Sequence, residues 1–224
     1  MLGMYYLIGI VAFVVSLGIQ SWLKSTYNKW MRVQNTAGLT GADVARAILQ
    51  ANGITNVKVE PVRGMLTDHY DPRTQTVSLS EGNYGYANVS GMAVAAHEVG
   101  HAIQHAKGYA PLKLRHAILP VANLGSRFGP MLILLGMFVG GIGGPLAQAG
   151  ILLFAAAVLF HLVTLPVEFD ASRRAIVQLN KLGLATNQDS GGAKAVLSAA
   201  AMTYVAAAAT SIAYLLYFLS ASRD

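Results

Sequence analysis

Three long stretches of this chain carry no charged side chain: residues 1–23, 128–167 and 195–222. A helix needs about 20 apolar residues to cross roughly 30 Å of hydrocarbon. The first gap therefore holds one span. The second holds two spans and a tight turn at GGIGGP (140–145), where glycines free the backbone and Pro145 opens the return helix. Its first half reaches full length only if the helix begins near Arg115; a re-entrant hairpin is the alternative. The third gap is rich in alanine, whose small side chains suit close packing of membrane helices. Charged residues make up 12% of the chain, about half the ~25% of soluble proteins, which is too little to cover a soluble surface. The hydrophobic share of 54% excludes a disordered chain.

The first span is expected to be a retained anchor. No Lys or Arg precedes it, and it ends in Gln20, Trp22 and Lys24 instead of a small-residue cleavage site. Trp22 and Trp30 suit an interfacial aromatic belt. Of the 16 Lys and Arg residues, ten lie between Lys24 and Arg115 and four between Arg173 and Lys194. This asymmetry assigns 24–115 and 166–194 to the cytoplasmic side and both termini to the outside. The net charge of +6 is therefore a topology signal, and no nucleic-acid partner is inferred from it. The absence of cysteine excludes disulfides and thiolate metal sites.

Between the first two gaps the pattern becomes that of a small α+β unit. LTGADVARAILQAN (39–52) predicts a helix with Thr40 as N-cap and Val44, Ile48 and Leu49 on one face. VKVEPV (57–62) alternates as a strand. A turn around Asp71-Pro72 leads into a second strand, Gln75–Ser80. Residues 90–107 then predict a long helix, with Ser90 as its cap and Gly108 and Pro111 as its stop.

That helix carries His97-Glu98-Val99-Gly100-His101. Residues four apart share a helix face, so two imidazoles can converge on one Zn²⁺. Glu98, rotated about 100° from His97, is placed to act on a metal-bound water. A catalytic zinc usually keeps three protein ligands and one open position. His105 is poorly placed for the third, about 6 Å further along the axis than His101 and rotated another ~40°; it is expected on the wet side of the helix. Glu168, the first acid after the second gap, is the better candidate. Two crossings return the chain there to the side holding His97 and His101. An interfacial carboxylate opening a helix is the alternative for Glu168.

Together, AAHEVGHAIQH, LTDHYDP, VSLSEGNYGY and PVEFDASRRA resemble the bacterial YugP-type membrane zinc metallopeptidases, relatives of the HtpX-like gluzincin peptidases. The resemblance covers most of the chain. It implies Zn²⁺ held by His97, His101 and Glu168, with Glu98 as general base and polypeptides as substrates. It also implies that the strand before the metal helix, Gln75–Ser80, pairs with an extended substrate, and that the role is membrane-protein quality control. One departure stands out. HtpX-like enzymes carry an aspartate four residues after the ligand glutamate, where this chain has Ser172; Asp170 lies nearby on a different helix face. His69 and Tyr70 are weak candidates for stabilising an oxyanion.

The expected fold class is α+β, a mostly helical integral membrane protein with about four transmembrane helices and a small cytoplasmic gluzincin-like metallopeptidase unit. Its expected parts are an anchor (1–23), the metallopeptidase unit (24–115), a transmembrane hairpin (116–166), a cytoplasmic helix with the third ligand (167–194) and a final transmembrane helix (195–220). The expected activity is that of a zinc-dependent endopeptidase of the cell membrane, multi-pass, with a cytoplasmic active site. A zinc-binding membrane scaffold or regulator without proteolytic activity is the rival. A transporter is disfavoured, since His161 is the only ionisable residue within the hairpin's charge-free stretch.

Overall fold

The computed structural model describes residues 2–223. Its elements are α1 (Leu2–Met31), α2 (Gly41–Ala51), β1 (Lys58–Val62), β2 (His69–Asp71), β3 (Thr76–Ser80), α3 (Glu81–Tyr84), α4 (Val89–Ala106), α5 (Ala110–Val139), α6 (Pro145–Lys181) and α7 (Asn187–Ala221). The chain is mostly helical, with one small sheet. Four helices are long and apolar enough to cross a membrane: Gly3–Met31, Ala110–Val139, Pro145–Lys181 and Asn187–Ala221. Three of them, α1, α6 and α7, run through the positions where the charge pattern changes. At 1.5 Å per residue α6 is about 55 Å long, well beyond the ~30 Å of hydrocarbon. Its charged end, from Glu168 onward, therefore lies outside the apolar stretch, as do Lys24–Met31 of α1 and Asn187–Lys194 of α7. Pro166 of α6 and Gly191 and Gly192 of α7 lie close to these junctions, and the helical backbone continues through them where the polarity switches.

The chain forms two units, one of residues 1–20, 110–166 and 202–224, the other of residues 21–109 and 167–201. In the first, α5 ends at Val139 and α6 begins at Pro145, with Gly141 at φ +76° in the turn. The turn between the two helices thus falls at GGIGGP, and α5 begins at Ala110, before Arg115. Tyr5 of α1 packs its ring against Tyr214, Tyr217 and Phe218 of α7.

The second unit has a soluble-type core. Tyr27, Ile48, Leu79, Met92, Val99 and Leu179 are among its buried residues. Trp30 packs against this core and over Gly192, so it is a packing residue and not part of a lipid-facing belt. α2 opens with a capping box, in which Thr40 Oγ1 accepts from Asp43 N and the Asp43 carboxylate accepts from Thr40 N. Its buried face is Val44, Ala45, Ile48 and Leu49. The cap of α4 differs from the expected Ser90. Asn88 takes that place, its Oδ1 accepting from Gly91 N at 2.7 Å, while Ser90 donates to the Tyr27 carbonyl. Both residue types cap well, and here the chain enters α4 through a bridge between Gln34 and Asn88 that puts Asn88 first.

The sheet order is β1-β3-β2, with β1 parallel and β2 antiparallel to β3. The expectation that β3 is free to pair with a peptide is therefore corrected. β3 is the central strand, paired with β1 along its whole length and with β2 over Thr76–Ser78. The three-residue β2 is too short to show a period-two pattern, so only its turn was legible. The edge at Ser80 is also occupied. Asp68 accepts from Ser80 N at 2.7 Å, from Ser80 Oγ and from Asn83 Nδ2. This explains LTDHYDP and VSLSEGN as two halves of one structural clasp.

Candidate metal centre

α4 supplies His97, Glu98 and His101, and α6 supplies Glu168. The two helices meet at Gly100. A Cβ built there would lie 2.6 Å from the carbonyl oxygen of Ala171, so only glycine allows α6 this close. The glycine inside the HEVGH run is thus the contact point that delivers Glu168, three residues before Ala171, to the two histidines.

Glu168 Oε2 lies 3.3 Å from His97 Nε2 and 3.6 Å from His101 Nε2. One donor atom from each of the three residues falls within 4.8 Å of the others, and among the described residues they form a metal-ligand group. Ligands bound tetrahedrally at the ~2.0–2.1 Å typical of zinc stand about 3.3–3.4 Å apart, and the two distances from Glu168 to the histidines are near this value. Two imidazoles and a carboxylate are also ligand types that zinc takes. The Glu168 side chain is 3% exposed, against 15% for His97 and 11% for His101. The glutamate is thus the most enclosed of the three, and the imidazoles retain slight exposure. Glu168 does not open a helix; it lies well inside α6, which removes the alternative of an N-terminal interfacial carboxylate.

Burial works against the Glu168 carboxylate, but the imidazoles of His101 and His97 in contact with it outweigh this and hold its pKa below the usual range. His101 is raised: burial opposes its charged form, and the carboxylates of Glu168 and Glu98 more than compensate. Glu98 is raised above an ordinary glutamate, chiefly by burial, with the two histidines pulling the other way. A buried carboxyl of raised pKa beside a candidate metal group is the arrangement expected of a general base.

The remaining residues singled out by sequence separate clearly. His105 is exposed, stands outside the ligand group and is 2.8 Å from the Tyr70 hydroxyl through Nδ1. His69 Nδ1 is 2.9 Å from the Thr67 carbonyl. Ser172 Oγ is 3.1 Å from His97 Nδ1, on the helix turn after Glu168. Gln104 was missed, although its place three residues after His101 on the same helix face is the signal that would have found it. Its Oε1 is 3.0 Å from His101 Nδ1, and its Nε2 donates to Val167 O and Asp170 Oδ2. Asp170 therefore reaches the site through Gln104, which explains how it serves from a different face of α6.

The family described as "Putative neutral zinc metallopeptidase" matches residues 5–223. A relative named "Putative membrane protease YugP", from Bacillus subtilis (strain 168), is 49% identical over 210 residues, which cover 92% of each chain. No solved structure matches the fold closely enough to be compared. The family's metal is Zn²⁺, in agreement with the donor set of His97, His101 and Glu168. From the match along nearly its whole length, the chain belongs to this zinc metallopeptidase family.

Proposed function

We propose that the protein is a membrane-embedded endopeptidase that crosses the bilayer four times and cleaves polypeptides at a zinc site on the cytoplasmic side. The observation that carries this reading is the convergence of His97, His101 and Glu168 with Glu98 buried beside them. Three ligands leave a fourth position for water, whereas structural zinc sites are usually closed by four. Zinc held by His97, His101 and Glu168 would supply Lewis-acid chemistry, acidifying water and polarising the peptide carbonyl. Glu98 would take a proton from the attacking water as the new C–O bond forms. It then delivers the proton to the amine as the C–N bond breaks. Peptide and water become a carboxylic acid and an amine, with no other reactant.

The other residues hold this arrangement. Glu168 brings a carboxylate already ionised, and the close α4–α6 approach at Gly100 keeps it in reach. With β3 enclosed, pairing with an extended peptide falls to the outer edge of β2, which also lies against α4. The Lys and Arg asymmetry supports the cytoplasmic location. A role in membrane-protein quality control, which the family resemblance implies, is part of this proposal, and the undemanding sequence requirements of strand pairing suit it.

Glu98→Ala tests the reading. The purified variant is expected to bind zinc like wild type and to cleave an unfolded membrane substrate at least ~100-fold more slowly. Equal cleavage by the two proteins would refute it. No cleavage by zinc-loaded wild type would favour the scaffold.

A further inference from the structure

We infer that Gln104 and Ser172 are positioning residues that select the tautomer of the two ligand histidines, Gln104 carrying the polarity of Asp170 to His101. The inference rests on His97, His101 and Glu168 being the zinc ligands.

The argument begins with the orientation of one amide. Gln104 is fully buried. On one side its carboxamide faces the Val167 carbonyl at 2.8 Å and Asp170 Oδ2 at 2.9 Å. A backbone carbonyl can only accept. Asp170 already faces the guanidinium groups of Arg173 and Arg174 through its two oxygens, and the Oδ2 it turns to the amide is an acceptor. The amide nitrogen must therefore point to that side. The reverse orientation would set a carbonyl oxygen against two acceptors in a buried site.

Gln104 Oε1 is then left 3.0 Å from His101 Nδ1. A carbonyl oxygen has no proton to give, so Nδ1 must carry one. In a neutral imidazole this leaves the lone pair on Nε2, the nitrogen 3.6 Å from Glu168 Oε2. One buried amide thus decides which atom of His101 is available to a metal.

His97 is served differently. Ser172 follows Glu168 by four residues, so one face of α6 offers both the ligand carboxylate and a hydroxyl. The Ser172 oxygen lies 3.1 Å from His97 Nδ1, while His97 Nε2 lies 3.3 Å from Glu168 Oε2. Accepting from Nδ1, the hydroxyl directs the Nε2 lone pair to the same point. Among the described residues, the Nδ1 partners of the two imidazoles are an amide oxygen and a hydroxyl. The charge of Asp170 is matched by two arginines and reaches His101 only through a neutral amide. Both orienting contacts join α4 to α6 or to a residue that α6 holds, so both form only when the two helices pack.

Competition with a chromogenic chelator, on the full chain in detergent, measures the consequence. Gln104→Met and Ser172→Ala are each expected to weaken zinc binding by about 10–100-fold. Ser172→Thr, which keeps the hydroxyl, should stay within about threefold of wild type. The tautomers themselves are read by NMR on metal-free protein with ¹⁵N-labelled histidine. Wild type should show Nδ1–H at both residues, and Gln104→Met should lose that preference at His101 only. A purely structural role would move neither the tautomer nor the Ser172→Thr rescue.

Zinc affinity within threefold of wild type in Ser172→Ala and in folded Gln104→Met would overturn the inference, as would Nε2–H tautomers in wild type. Should Gln104→Met fail to fold, Ser172→Ala and the wild-type spectrum still decide it. Failure of the underlying reading looks different: wild type without zinc, or Glu168→Ala that keeps it.

Discussion

Replacing Gly100 with alanine sets two physical effects against each other. Within a helix interior, Gly→Ala normally stabilises by about 0.8–1.0 kcal/mol through backbone entropy. Gly191 in α7 provides the reference case, since a Cβ there meets nothing within 4 Å; Gly191→Ala should stabilise by roughly 0.4–1 kcal/mol. At Gly100 the same methyl group would lie 2.6 Å from Ala171 O and 3.2 Å from Ala171 C and Cα. An ordinary contact needs about 3.5 Å, so α6 must retreat by roughly 0.9 Å. The obstruction is backbone on both sides, with no side chain able to rotate away.

Overpacking of this kind costs about 1–3 kcal/mol, which cancels or exceeds the helix-propensity gain. The metal site is more sensitive than stability. Zinc–ligand distances tolerate about ±0.2 Å, and Glu168 moves with Ala171 on the same helix. Gly100→Ala is therefore expected to be as stable as wild type or up to ~2 kcal/mol less stable. Its zinc affinity should fall at least about tenfold. Thermal unfolding followed by circular dichroism in detergent gives the first quantity and chelator competition the second. A Gly100→Ala protein more stable than wild type, with unchanged zinc affinity, would refute the close approach of the two helices.

Wild type should bind about one zinc per chain, measured by elemental analysis, and folded Glu168→Ala should lose most of it; retention by the variant would remove Glu168 from the site. His105→Ala should keep its zinc, because His105 stands apart from the ligand group and meets Tyr70. Free zinc at a hundredfold excess over its Kd should stabilise the fold by about 2.7 kcal/mol, seen as a higher unfolding midpoint that a chelator reverses. Asp189 gives a pH signature. Burial disfavours its carboxylate, but hydrogen bonds from Thr186 and Thr36 outweigh this and depress its pKa in the fold. Its contribution is therefore present above the unfolded value of about 3.9 and is lost as pH falls through the folded value. Asp189→Ala should cost about 1 kcal/mol at pH 7. The gap from wild type should narrow in acid, and a constant gap down to pH 2 would exclude the carboxylate as its source.

Much of the molecule is legible in short windows of sequence. Missing charge over 20 residues is a local property, and it located the helices suited to a bilayer. The cap at Thr40, the turn before Pro145 and the pairing of His97 with His101 each follow from backbone geometry within a few residues. Helix ends were less legible, because α1, α6 and α7 continue through changes of polarity that charge patterns treat as boundaries. Reading Glu168 as the third ligand needed an argument about chain crossings, since 71 residues separate it from His97.

Tertiary structure alone decided the rest. β3 became the central strand because a three-residue partner, too short to announce itself, took the edge that sequence left open. Asn88 displaced Ser90 as a cap because a distant bridge set where the chain enters α4. Ser172 looked like a missing aspartate until packing set it against His97 Nδ1, and Asp170 faced the wrong way until Gln104 linked it to His101. The physical reason is the same in each case. Local conformation depends on neighbours in the chain, whereas the partner of a buried polar atom depends on which helices pack and how closely. Here that distance is set by a single missing methyl group at Gly100.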